Sequence, residues 1–184
     1  MPEMFINIIT PCSRPQNLKK IAKSINIPRA NYRWIVVCDR YFYPYLGYIP
    51  ANCEIYCHKN KKSKSGNAQR NYALAKITEG YIYFNDDDTI IHPKLWENIK
   101  SKNEDFIYFK QQFNNIPRFS EDVKVGNIDS HTFLVTTAII SDLQWDLGLY
   151  EADGLFAMEC YAKAKTKIFI DKELSVYNAL RLPC

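Results

Sequence analysis

The sequence predicts an α/β domain built on a mostly parallel central sheet with helices on both faces. Short apolar runs alternate with helical patterns in the order strand, helix, strand, then strand, helix, strand, which is the signature of parallel sheets. Polar clusters also sit at the ends of three of those runs: residues 10–14, Asp39-Arg40, and Asp86, Asp87 and Asp88. Open sheets of this type bind ligands at the carboxyl ends of their strands, where strand order reverses.

Each element follows from its local pattern. Residues 4–10 (Met-Phe-Ile-Asn-Ile-Ile-Thr) form a nearly continuous apolar run, as expected for a strand buried on both faces. The loop Thr10-Pro11-Cys12-Ser13-Arg14-Pro15 opens a helix over residues 16–25, with Leu18, Ile21, Ala22 and Ile25 on one face. Pro28 stops it. Residues 32–39 are a second buried strand, residues 40–50 a Tyr- and Pro-rich irregular stretch, and Cys53–Cys57 a short third strand. Residues 59–66 have the composition of a mobile basic loop, with a solvated loop as its default role and closure over phosphates as the alternative. A helix over residues 67–77 follows, with Gly80 as its stop. The next strand begins at Tyr81 and ends abruptly in three carboxylates.

The second half is less regular. Strands are expected over residues 105–113, 132–138 and 167–171, and a loop or hairpin over 114–126. Residues 145–150 form an aromatic turn, and a helix follows over residues 155–164. No linker, repeat or low-complexity tract interrupts the chain, so its 184 residues, 47% of them hydrophobic and 14% aromatic, read as one domain.

Composition narrows the function classes. No apolar run approaches the roughly 20 residues that span a bilayer, and the N-terminus lacks a charged segment followed by an apolar one. A soluble, cytoplasmic protein is expected. Six scattered cysteines fit reduced thiols packed as small hydrophobes rather than disulfides. Cys53 and Cys57 have no second pair or double histidine nearby, which argues against zinc. A formal charge of +4 suits anionic substrates. The basic residues form no stripe interleaved with aromatics, so nucleic acid is not expected as a partner.

The acidic triplet carries the chemistry. In an extended backbone Asp86 and Asp88 would share one side, about 6.5 Å apart, with Asp87 on the other. Carboxylates this close repel by about 1 kcal/mol in water and several-fold more at lower dielectric, so something positive is expected among them. Hard oxygen ligands suit Mn²⁺ or Mg²⁺, which bind through one or two carboxylates plus substrate phosphates. The alternative is an acidic turn, solvated and idle.

Four motifs in order, Ile-Ile-Thr-Pro-Cys-Ser-Arg, Val-Val-Cys-Asp, Gly66-Asn67-Ala68-Gln69-Arg70-Asn71-Tyr72-Ala73 and Tyr-Phe-Asn-Asp-Asp-Asp, resemble the nucleotide-sugar half of GT-A glycosyltransferases of the family 2-like type. The resemblance implies a Rossmann-like GT-A domain whose first 100 or so residues bind a nucleotide sugar and whose remainder, about 101–184, meets the acceptor. It implies that Thr10 and Arg14 touch the nucleotide or diphosphate, that Asp39 accepts from a uracil ring nitrogen, and that Asn67 and Arg70 line the same pocket. It divides Asp86 and Asp87 between ribose and support, makes Asp88 the metal ligand, and makes the donor a UDP-sugar. Asp153, with Glu151 as substitute, is the expected general base of an inverting transfer to an acceptor hydroxyl, with an N-cap role as the alternative. Asp129 is a weaker candidate for acceptor contact. Tyr177-Asn178 would either fold over the sugar or pack in the core.

The chain departs from the family pattern in having no histidine near its C-terminus, so either His131 folds back or water and diphosphate complete the metal shell. His92, before Pro93, is expected to cap a helix. The chain is short for the class and reads as a minimal enzyme or one module of a longer polypeptide. A sugar nucleotidyltransferase is the first rival, although residues 10–15 lack the glycines such enzymes carry there. The second is a non-catalytic nucleotide- or carbohydrate-binding module.

Overall fold

The computed structural model describes residues 4–40, 52–60 and 63–181. Its core is one mixed sheet. β1 (Ile6–Cys12), β2 (Tyr32–Cys38), β3 (Cys53–Cys57) and β4 (Tyr81–Phe84) are mutually parallel. The chain then adds β5 (Ile90–Ile91), β6 (Phe106–Phe113), β7 (Ile116–Arg118), β8 (Phe133–Thr136) and β9 (Lys167–Val176). The spatial order is β3-β2-β1-β4-β8-β6-β9-β5, with β7 paired to β6 as a hairpin. β8 runs antiparallel to both β4 and β6, and β9 is parallel to β6. Strand order reverses between β1 and β4: the chain builds outward to β3 and then returns to the other side of β1. That switch opens a crevice above the carboxyl ends of β1 and β4.

The pattern of burial explains the strands. Every residue of β1 is buried, as expected for a strand covered on both faces. Ile6, Ile8, Trp34, Val36, Tyr83 and Leu134 point to one face, against α1 (Leu18–Ser24) and the residues of α3 (Leu95–Ile99). Ile9, Ile35, Val37, Ile82, Phe84 and Phe133 point to the other, where α2 (Asn67–Leu74) and α5 (Ala152–Lys163) supply Ala73, Phe156 and Cys160. A short α4 (Thr137–Ile140) follows β8 directly. The described cysteines are free thiols, three of them buried. Among the described residues no helix is long and apolar enough to cross a membrane.

Several boundaries differ from expectation for identifiable reasons. β1 runs on through Pro11 to Cys12 because its β4 ladder stops at Ile9, and beyond that point a missing N–H on the β4 side costs nothing. The strand expected over 132–138 is split into a 3-10 turn (Ser130–Thr132), β8 and α4. β9 is twice the expected length and continues past a bulge opposite Lys110. The helix expected from residue 155 begins at Ala152, so Asp153 is not its N-cap: it lies inside the first turn, and Glu151 occupies the cap position. Position 154 takes a glycine because a side chain would collide with the Val125 backbone, 2.8 Å from where its Cβ would sit. His92 does not cap α3, whose N-cap is Lys94 with no side-chain cap bond; its Nδ1 accepts from Lys94 N at 3.2 Å in the turn ahead of the helix. Most of the irregular stretch expected over residues 40–50, and Lys61-Lys62 of the basic loop, lie outside the described residues.

Candidate active site

The three strand ends expected to bind ligand converge on one cavity of about 670 Å³. Its walls include Arg14 and Asp39 from the ends of β1 and β2, Asn67 and Arg70 from α2, the acidic triplet after β4, and Asp129, Asp153 and Tyr177 from the second half. Thr10 does not reach it. Its side chain is fully buried and its Oγ1 accepts from Trp34 Nε1 at 2.9 Å, which leaves Pro11, Cys12 and Ser13 to form that edge.

The triplet does not alternate as an extended strand would. β4 ends at Phe84 and the chain turns, Thr89 N donating to Asp86 O at 3.1 Å. The turn separates the carboxylates by partner. Asp87 faces the β1–α1 loop, and its Oδ2 accepts from Ser13 N and Arg14 N, both at 2.6 Å, and from Ser13 Oγ at 3.0 Å. Its Oδ1 meets the Arg14 guanidinium, which also reaches Asp88 Oδ2 at 3.1 Å. Asp86 turns the other way to Arg70, and its Oδ2 accepts from Ser130 Oγ at 3.3 Å. The positive charge that the sequence demanded is thus supplied first by two arginines.

These partners set the carboxylates apart electrostatically. Burial works to raise the Asp86 pKa, but the Arg70 guanidinium, with His131 and Ser130, outweighs it and holds the group below the usual range. Asp88 goes the other way: burial, reinforced by the Asp86 charge, raises it against the pull of Arg14. Arg70 is 4% exposed and held through its terminal nitrogens, while its Nε meets no partner among the described residues. It donates to Ser65 O at 2.7 Å and to Asn67 Oδ1 at 3.1 Å, and its guanidinium carbon lies 4.5 Å over the Trp145 ring. Asn67 in turn donates to Asp146 O at 2.6 Å, tying the start of α2 to the aromatic turn. Asp39 stands half exposed at the rim, with Arg40 Nε 3.8 Å away.

Asp153 sits across the cavity. Burial and the nearby Asp129 charge push its pKa up to about 6, against a hydrogen bond from Gly154 N at 2.8 Å and the pull of Arg70. Asp129 ends in a capping box: its Oδ1 accepts from Ser130 N at 2.7 Å, and its own N–H donates to Thr132 Oγ1. That cap folds His131 into the protein interior beside the triplet.

His131 has one nitrogen assigned by its surroundings. Nε2 lies 2.6 Å from Gln111 Oε1, an atom that only accepts, so Nε2 carries the proton. Nδ1 faces the carboxylates, 3.5 Å from Asp129 Oδ1. Ligand atoms of Asp86, Asp129 and His131 all lie within 4.8 Å of one another, a group that could hold a metal ion. Two carboxylates and an imidazole nitrogen suit Mn²⁺. Asp88, the ligand expected from the motif, opens on the same cavity but meets Arg14. Gln111, Ser130 and Trp145 were not singled out from the sequence; Gln111 alone left a signal, as a polar residue inside an aromatic strand.

No family model and no curated protein matches the chain. Solved structures do match its fold. S. aureus TarS, residues 1–349, superposes with a TM-score of 0.73 at 19% identity, covering 94% of this chain and 60% of that one. The same TarS fragment in complex with UDP-GlcNAc gives 0.72 at 20% identity, over 94% and 58%. The mannosyltransferase PcManGT from Pyrobaculum calidifontis, in complex with GDP-Man and Mn²⁺, gives 0.70 at 11% identity, over 94% and 56%. The chain therefore spans about three fifths of the length of these matched chains, and 36% of the longer TarS chain. On this evidence it has the GT-A fold of glycosyltransferases.

Proposed function

We propose that the chain is a metal-dependent glycosyltransferase moving a sugar from a nucleotide diphosphate sugar to an acceptor hydroxyl. One observation carries the reading. The cavity joins an acidic turn and an imidazole-bearing ligand group to a separate carboxylate, Asp153, whose surroundings hold it near neutrality as a proton acceptor. Binding a nucleotide alone does not require such a second carboxylate.

In this reading the first-half wall takes the donor. Asp39 at the rim meets the base, with uracil its natural partner, and Asn67 and Arg70 shape the pocket floor. Asp87 spends its lone pairs on the β1–α1 loop and so acts as its brace, leaving Asp86 nearer the ribose and the metal. A bound Mn²⁺ or Mg²⁺ would neutralise charge on the departing diphosphate and orient it. Asp86, Asp129 and His131 are the preassembled ligands, and Asp88 joins them if Arg14 yields its contact. Gln111 keeps the lone pair of His131 on the nitrogen that faces the carboxylates. Asp153 accepts the proton of the acceptor hydroxyl as that oxygen attacks, giving inversion.

A thermal-shift panel of uridine, guanosine and thymidine diphosphate sugars, each with and without Mn²⁺, tests the donor side. The expected result is a gain in melting temperature for uridine compounds that requires Mn²⁺. A larger gain with guanosine compounds would remove the assignment of Asp39 to uracil. No metal-dependent gain with any nucleotide would remove the donor reading as a whole.

A further inference from the structure

Four arginines line the cavity, and two are already neutralised, Arg14 by Asp87 and Asp88 and Arg70 by Asp86. Arg181 is exposed at the rim. Arg118 is set apart by how it is held. It ends β7 and is the partner of Gln111 across the β6–β7 hairpin, so the two side chains leave the same face of the ribbon. The register is fixed by a two-residue loop, Asn114-Asn115, with φ of 50° and 60°. Tight hairpins with the twist of the flanking strands need positive φ at both central residues, which asparagine tolerates.

The guanidinium carbon of Arg118 lies 4.8 Å from the ring centre of Phe119, 5.1 Å from that of Tyr177 and 5.8 Å from that of Phe113. Phe119 has φ 73°, a left-handed conformation that bulky residues rarely adopt, and this turn brings its ring beside the cation. Tyr177 continues the stack inward, its ring 5.3 Å from that of His131 and tilted by only 11°. Arg118 is therefore one aromatic layer out from the candidate metal group. Among the described residues it has no ion pair and no side-chain hydrogen bond. Rings hold a guanidinium by its flat face, which leaves the N–H donors around its edge free.

We propose that Arg118 is an oxyanion receptor of this cavity, taking a phosphate group edge-on in its planar fork. The inference rests on the reading of the cavity as a nucleotide-sugar site and extends it. A planar guanidinium with pre-positioned donors matches phosphate oxygens in pairs, which an ammonium does not. Two sources can present that group, the diphosphate of the donor or a phosphate carried by the acceptor.

Calorimetric titration of the wild type, Arg118→Gln and Arg118→Lys, all with Mn²⁺, separates them. The probes are UDP, and inorganic phosphate added to UDP-saturated protein. A loss of about tenfold or more in UDP affinity in Arg118→Gln, partly restored in Arg118→Lys, assigns the anion to the donor. Unchanged UDP affinity with phosphate binding lost from the saturated complex assigns it to the acceptor. Equal affinities for both probes in wild type and Arg118→Gln, at unchanged melting temperature, overturn the proposal. If the wild type binds no UDP but binds phosphate through Arg118, the nucleotide-sugar reading falls and the receptor stands. If it binds neither, the receptor falls too.

Discussion

Replacing Asp153 by asparagine is expected to slow sugar transfer by about 10²- to 10⁴-fold, the usual contribution of a positioned general base, without lowering stability at neutral pH. The stability half follows from the sign of its pKa shift. Asp153 is raised from the ordinary carboxylate value to about 6, so over that interval the folded state holds the proton more tightly than the unfolded chain. Stability from this group is present at acid pH and falls as pH rises from about 4 to about 6. Asparagine carries no charge to bury and can still accept from Gly154 N. Above pH 6 the variant should therefore melt at or above the wild type, and below pH 4 the two should coincide. In the wild type, kcat/KM should rise with pH as Asp153 loses its proton. Activity retained in Asp153→Asn, with melting unchanged at every pH, would mean that the carboxylate serves only the first turn of α5.

Arg70→Met is expected to cost the most stability. Arg70 has 4% of its side chain exposed and Asp86 has 28%, so the change strands a largely buried carboxylate. Losing one partner of a buried pair costs about 3–5 kcal/mol. Partial exposure of Asp86 brings the expectation to roughly 2–4 kcal/mol, or a fall of roughly 5–15 °C for a chain of this size. The deficit should narrow in acid. Arg70 holds the Asp86 pKa down, so its stabilisation is present above the ordinary carboxylate value and is lost as pH falls through the depressed one. Thermal melts of both proteins from pH 3 to pH 8 provide the check. A deficit that does not change with pH would assign the loss to packing against Trp145 instead.

What the sequence revealed and what it concealed divide along the range of the interactions. β1, β2 and β4 were legible because strands covered on both faces write uninterrupted apolar runs. The carboxyl-edge clusters were legible because they are contiguous. The orientation of the triplet was not: one turn at Asp86 sends it to Arg70 and its neighbours to Arg14, and those partners lie 16 and more than 70 residues away. His131 could be named only as a possibility, since its place depends on a capping box at Asp129 and on Gln111 across the sheet. Thr10 was misjudged because it lies short of the strand's end, inside the sheet, where its hydroxyl serves Trp34, and the cavity edge begins one residue later at Pro11. Arg118 left no local trace, because its surroundings come from a hairpin turn and the end of β9.

The central claim is that the acidic cavity retains a divalent cation that holds the diphosphate of the donor. Titrating UDP calorimetrically into the protein, first in EDTA and then in Mn²⁺, addresses it most directly, with His131→Gln and Asp88→Ala alongside. The account predicts binding that needs Mn²⁺ and weakens about 10- to 100-fold or more when a ligand is lost. Equal UDP binding in EDTA and Mn²⁺, undisturbed by either substitution, would contradict it.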